Sequence, residues 1–181
     1  MNAGFFHRMP FVILPLCAGL MAATPAATGA PATGDKAPLI EGVDQNGKPF
    51  RLKDEIGKKV ILLYFYPKDG TAGCTREACG FRDKTEELGK ENVQVVGVSF
   101  DDLESHQSFA AKYKLTFPLL ADMSGKIADA YGARTKPGKT LDRRVSFLIG
   151  LDGTIKHVTD SRDATIHIVE MEMAIRSLSG K

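Results

Sequence analysis

Two cysteines, Cys74 and Cys79, stand five positions apart in the stretch DGTAGCTREACG, residues 69–80. Paired thiols can ligate a metal, close a disulfide or act as nucleophiles. A redox Cys-x-x-Cys pair sits about three positions apart, and paired zinc ligands about three to five apart. The surrounding residues read as a helix, in which five residues amount to about 7.5 Å of rise and about 140° of rotation. A disulfide needs Cα atoms within about 7 Å and converging Cβ vectors. An intact helix therefore cannot hold one between Cys74 and Cys79, and closing it means unwinding the first turns, which the neighbouring Gly80 makes cheaper by about 1 kcal/mol relative to alanine. Such a bond is a poor structural staple and a better redox switch or reaction intermediate, although an even cysteine pair in an oxidising compartment ordinarily reads as structural.

The position of Cys74 carries its own chemistry. With Thr71 as N-cap, Cys74 is the third helical residue, among backbone N–H groups that have no intrahelical partner. The helix dipole favours an anion there by about 0.3 to 2 kcal/mol. A free thiol is only about 3% thiolate at pH 7, so complete ionisation gains only about 30-fold, and nucleophilicity falls as the thiol becomes more acidic. A fast thiol reaction at this position also needs hydrogen-bond donors aimed at the charge that develops on the substrate.

The elements that must place these residues follow from the pattern. LIEGVDQNGKPFRL is two short runs around Asn46-Gly47, a hairpin signal. Val60–Tyr66 and Val93–Phe100 are continuous apolar runs, expected as buried strands. Between them Cys74, Ala78, Phe81, Thr85 and Leu88 recur at helical spacing. A helix over 102–113, a strand over 119–121, a short helix over 124–131, strands over 144–149 and 155–159 around Asp152-Gly153, and a closing helix complete the chain. In that last helix Ile168, Met171, Ile175 and Leu178 share a face, and its methionines read as core filler. This is an α/β order: a central mixed β-sheet flanked by helices in three layers. The stretch GARTKPGKTLDR, residues 132–143, reads as a solvated basic loop or the border of a site for a polar or negatively charged partner.

Composition narrows the classes. The 181 residues carry a formal charge of +2 and are 43% hydrophobic, enough for one domain with a sizeable core. No run of like charges suggests nucleic acid. Residues 1–30 differ from the rest: His7 and Arg8, an apolar run from Met9 to about Met21, then an Ala/Thr/Pro stretch. That is the order of a secretory signal peptide, with Ala23, Ala26 and Ala30 as candidate ends. The apolar run, about 13 residues, is shorter than the roughly 20 a membrane span needs. Cys17 would leave with the signal, and Pro15 and Leu16 before it are poor for lipid attachment. The expectation is an exported, periplasmic protein of a single domain, 31–181, with no stable membrane span after cleavage.

The segment YFYPKDGTAGCTREACGFRD resembles the active-site segment of peroxiredoxins, and among them the bacterioferritin-comigratory or peroxiredoxin Q branch. Pro67, Thr71 and Cys74 fit the pattern Pro-x-x-x-Thr-x-x-Cys. Cys79 fits the second cysteine of the branch. RRVSFLIGLDGTIKHV is similar to the strand that carries the family's active-site arginine, here Arg144. The likeness runs from about Gly34 to Leu178. It implies a thioredoxin-like fold and a cofactor-free thiol peroxidase acting on hydrogen peroxide and organic hydroperoxides. Cys74 would be the peroxidatic cysteine and Cys79 the resolving one, joined in an intramolecular disulfide that a thioredoxin-like dithiol reductant recycles. Thr71 would hydrogen-bond the thiolate or peroxide, Arg144 would stabilise both charges, and Pro67 would shield the pocket. The assembly implied is a monomer or weak dimer. The branch usually has proline where Ala72 stands, which implies a less rigid loop here.

Other residues have plainer expectations. Thr71 could serve only as an N-cap, and Arg143 rather than Arg144 could face the pocket; strand alternation admits only one of them. Glu77 either orients an arginine or lies on the helix surface. His106, His157 and His167 show no metal spacing and are expected at the surface or an interface. GTAG lacks the Lys-Ser/Thr of a phosphate loop. The competing functions are a secreted thiol–disulfide oxidoreductase of the thioredoxin-like superfamily, a binding or holdase module with a structural disulfide, and a Cys–His hydrolase.

Overall fold

The computed structural model describes Met1, residues 29–136 and residues 138–180. The expected leader lies almost wholly outside the described residues. Among them, no helix is long and apolar enough to cross a membrane.

Strands β1 (Glu41–Val43) and β2 (Pro49–Arg51) form the antiparallel hairpin that Asn46-Gly47 announces, with Gly47 at φ +75°. A short helix α1 (Leu52–Glu55), not anticipated from the sequence, leads to β3 (Val60–Phe65). Then come α2 (Ala72–Lys90), β4 (Val93–Ser99), α3 (Leu103–Tyr113), β5 (Leu119–Ala121) and α4 (Lys126–Ala130). The chain ends in β6 (Val145–Ile149), β7 (Ile155–Asp160) and α5 (Ala164–Leu178).

The main sheet has the order β5-β4-β3-β6-β7. It is mixed: β3 is parallel to β4 and antiparallel to β6. The lead-in at Gly34 and Asp35 hydrogen-bonds Ile155 at the start of β7.

The alternation of β3 divides the core into two. Ile61, Leu63 and Phe65 pack on one face with the hairpin, α1 and α4. Leu62, Tyr64 and Tyr66 pack on the other with α2, α3 and α5. A strand buried on both faces must be apolar throughout, which explains the run VILLYFY. The result is three layers, as the sequence leads one to expect.

The closing helix departs from expectation in detail. Its buried stripe is Ala164, His167, Met171 and Ile175, while Leu178 is exposed. Met171 fills the core, but Met173 is 56% exposed and is no core filler. Gly80 has a packing role: a Cβ there would overlap the Cδ1 of Ile168, so α2 and α5 touch through this glycine.

Candidate active site

Helix α2 begins at Ala72 with Thr71 as N-cap, so Cys74 is its third residue. It sits just beyond the end of β3, where the turn Pro67–Thr71 feeds the helix. Thr71 caps by backbone conformation only. Its side chain makes no capping bond and instead donates to the Lys68 carbonyl at 3.1 Å.

That turn is pinned through Asp69. The carboxylate accepts from the Tyr66 hydroxyl at 2.7 Å and from Ser105 at 2.9 Å, and it lies 2.7 Å from His106 Nδ1. The Asp69 backbone N–H donates to Asp101 at 2.9 Å. His106 is therefore fully buried and not a surface residue; its role is to tie α3 to the turn. His167 is fully buried too, whereas His157 is half-buried beside Glu170.

Arg144 approaches from the opposite side. In the β3–β6 register Phe65 faces Val145, so Arg144 stands one step past the end of the ladder. Val145, Phe147 and Ile149 point to the hairpin face of the sheet. Alternation therefore sends Arg144, Ser146 and Leu148 to the α2–α5 face. Arg143 goes the other way, to the Gly132 carbonyl and Asp160.

The Arg144 guanidinium makes three contacts. Nη2 donates to Cys74 Sγ at 3.4 Å, Nη1 donates to Glu77 Oε2, and Nε donates to the Arg162 carbonyl at 3.3 Å. Gly73 leaves room for this: a Cβ there would stand 3.0 Å from Nη2. Cys74 is 1% exposed and Arg144 9%, so the interaction lies in a poorly screened environment. Burial works against the Arg144 charge, but Glu77 and Cys74 outweigh it and hold the guanidinium firmly protonated.

Glu77 is no surface residue. It is fully buried, and burial raises its carboxyl to about 8 against the opposing pull of Arg144. The sequence allowed it either role; its i+3 spacing from Cys74 on the buried face was the available signal.

Above the site lies a cleft of about 550 Å³ walled by Pro67, Leu141, Asp142, Arg143, Arg144 and Arg162. The basic loop 132–143 does border the site. Cys79, one and a half turns along α2, is half-buried, and both cysteines are free. Among the described residues no histidine is hydrogen-bonded to Cys74 and no cluster of metal ligands occurs.

A buried thiol at a helix N-terminus thus accepts from a guanidinium that a carboxyl anchors from behind, which sets donors beside the sulfur where charge on an attacked oxygen would develop. Residues 33–158 match the AhpC/TSA family. The chain belongs to the AhpC/TSA family. Peroxiredoxin Bcp of Escherichia coli K12 is 43% identical over 139 residues, covering 74% of this chain and 88% of that protein. The chloroplastic peroxiredoxin Q of Sedum lineare is 38% identical over 146 residues, 80% of this chain and 78% of that one. The crystal structure of peroxidoxin BcpB from Mycobacterium tuberculosis superposes with a TM-score of 0.76 at 33% identity, covering 81% of this chain and 97% of that one. These similarities place the chain in the Bcp and peroxiredoxin Q branch. The fold is thioredoxin-like, and the protein is a peroxiredoxin, a thiol peroxidase.

Proposed function

We propose that this peroxiredoxin reduces hydrogen peroxide and organic hydroperoxides with Cys74 as nucleophile and Cys79 as resolving thiol. The observation that carries the reading is the 3.4 Å bond from Arg144 to the Sγ of a buried cysteine on the first turn of α2. The Cys74 thiolate attacks the near oxygen of the peroxide. The O–O bond breaks, an S–O bond forms, and the departing alkoxide or hydroxide takes a proton. Arg144 supports the thiolate before attack and the oxygens during it. Thr71 has lone pairs free to accept from the peroxide O–H, and Pro67 keeps bulk water from the cleft. The Cys79 thiol then attacks the Cys74 sulfenic acid, expelling water and closing a disulfide, for which the first turns of α2 must open.

An external dithiol reduces the disulfide. The signal-like leader supports an exported, periplasmic enzyme, and its reductant is then a thioredoxin-like protein of the same compartment. The rival, a thiol–disulfide oxidoreductase, does not need an arginine on the attacking sulfur and is not favoured.

The test is one equivalent of hydrogen peroxide added to the reduced protein, followed by intact mass and non-reducing peptide mapping. The expected product has lost two hydrogens and links Cys74 to Cys79. Cys74→Ser should leave the peroxide unconsumed. Cys79→Ser should consume one equivalent and stop unless a small thiol is supplied. Peroxide turnover by Cys74→Ser would overturn the assignment.

A further inference from the structure

Behind Arg144 lies a second layer of polar groups that the peroxidase reading does not use. His167 of α5 is fully buried, and its ring is held at both nitrogens. Nε2 lies 2.9 Å from the Ser161 carbonyl, which can only accept, so Nε2 carries a hydrogen. Nδ1 lies 2.7 Å from Ser146 Oγ and 3.6 Å from Glu77 Oε1. That carboxyl oxygen is buried and has no hydrogen-bond partner. The Ser146 hydroxyl can donate to a bare Nδ1, but an ionised Oε1 then has no donor and faces the lone-pair edge of the imidazole in a poorly screened core. A proton on Oε1 relieves that opposition.

The proton's preferred side follows from the charges around it. Glu77 is faced by Arg144, by Tyr64 of β3, by Cys74 on its own helix and by His167. His167 is faced by Glu77 and Arg144, with Glu170 and Asp160 farther out. Burial and Arg144 both work against a charged imidazole, and burial favours the carboxylic acid of Glu77. With the proton on Glu77, the single positive charge of Arg144 is left to the Cys74 thiolate. With the proton gone, an ionised Glu77 competes for the same guanidinium.

We infer that His167 is a positioning residue for the peroxidase reaction: fixed by Ser146 and Ser161, its Nδ1 beside Oε1 favours the protonated carboxyl of Glu77 and so keeps Arg144 directed at the Cys74 sulfur. This rests on Cys74 being the nucleophile, which the Cys74→Ser test decides separately.

The experiment compares wild type, His167→Asn and His167→Gln, each in the Cys79→Ser background so that only the first step is seen. The second-order rate of peroxide consumption is measured from pH 5 to 9 by competition with a haem peroxidase, alongside thiolate absorbance at 240 nm. Wild type should lose rate as Glu77 ionises at alkaline pH. Asparagine places an amide where Nδ1 stands and should stay within about 3-fold of wild type with its alkaline midpoint nearly kept. Glutamine reaches towards Ser161 but offers Glu77 no partner; it should be slowed about 10-fold or more, with the midpoint lowered by about one pH unit. A merely space-filling histidine predicts the reverse order, because asparagine leaves the larger void. Equal loss in both variants, or no midpoint shift in glutamine, overturns the inference. If either variant fails to fold by circular dichroism, Ser146→Ala decides. It removes the competing hydroxyl from Nδ1 and should raise the midpoint, and an unchanged midpoint overturns the inference as well.

Discussion

Arg144 holds Cys74 and Glu77 at once, one through each terminal nitrogen of the same guanidinium. A single planar group therefore couples the Cys74 sulfur to a carboxyl on the next turn of the same helix. Lysine reproduces this poorly, because its three N–H donors share one rotatable nitrogen and lack the rigid planar fork that spans both partners.

Arg144→Lys is accordingly expected to lower the rate of the first oxidation by about 10²- to 10³-fold, the cost of losing one oriented donor at a developing charge. The fold should survive, since Arg144 sits past the end of the β3–β6 ladder. Stopped-flow competition for peroxide measures the rate. A loss under 3-fold would show that the fork geometry is not used.

The contact of Gly80 with Ile168 makes a sign prediction. Alanine at an open helical site stabilises by about 1 kcal/mol relative to glycine. Here the new methyl overlaps Ile168, and overpacking costs about 1–3 kcal/mol. Gly80→Ala should therefore destabilise the protein in urea melts, yet stabilise it when introduced with Ile168→Ala, which clears the space. Additive effects of the two changes would refute the close approach.

Asp142 supplies a pH prediction. It is 1% exposed, neither carboxyl oxygen has a hydrogen-bond partner, and burial with the repulsion of Asp122 raises it to about 8. The native state then holds a proton that the unfolded state releases near pH 4. Stability contributed by that proton is complete below pH 4 and declines as pH rises to about 8, by up to about 1 kcal/mol per pH unit. Glu77 acts in the same direction over a similar window. Asp142→Asn carries no such proton, so its urea midpoint should fall less than wild type between pH 5 and 8. Parallel pH curves for the two proteins would contradict this.

Much of the scaffold was legible because it depends on local periodicity. The runs 60–66 and 93–100, the hairpin at Asn46-Gly47 and the start of α2 after Thr71 all follow from patterns within a few residues. The choice of Arg144 over Arg143 was half legible: alternation says that one must face the site, but only the register of β6 against β3 says which. Glu77, His106 and His167 were obscured for a different reason. A buried polar side chain is paid for by partners distant in sequence, and His167 needs Glu77, Ser146 and Ser161. Its place in the apolar stripe, four residues before Met171, was the one local sign that it turns inward. Thr71 shows the converse, a strong local cap signal whose side chain turns instead to Lys68.

The anchoring of Asp69 to Tyr66, Ser105 and His106 fixes one border of the helix start, and the seat of Gly80 on Ile168 fixes another. Under the proposed cycle, opening of α2 would be confined to the short span between two moorings, with the sheet and the rest of the helix left in place. The loosened segment would then have little space to explore before winding back, so resetting would need a local recoil and no refolding.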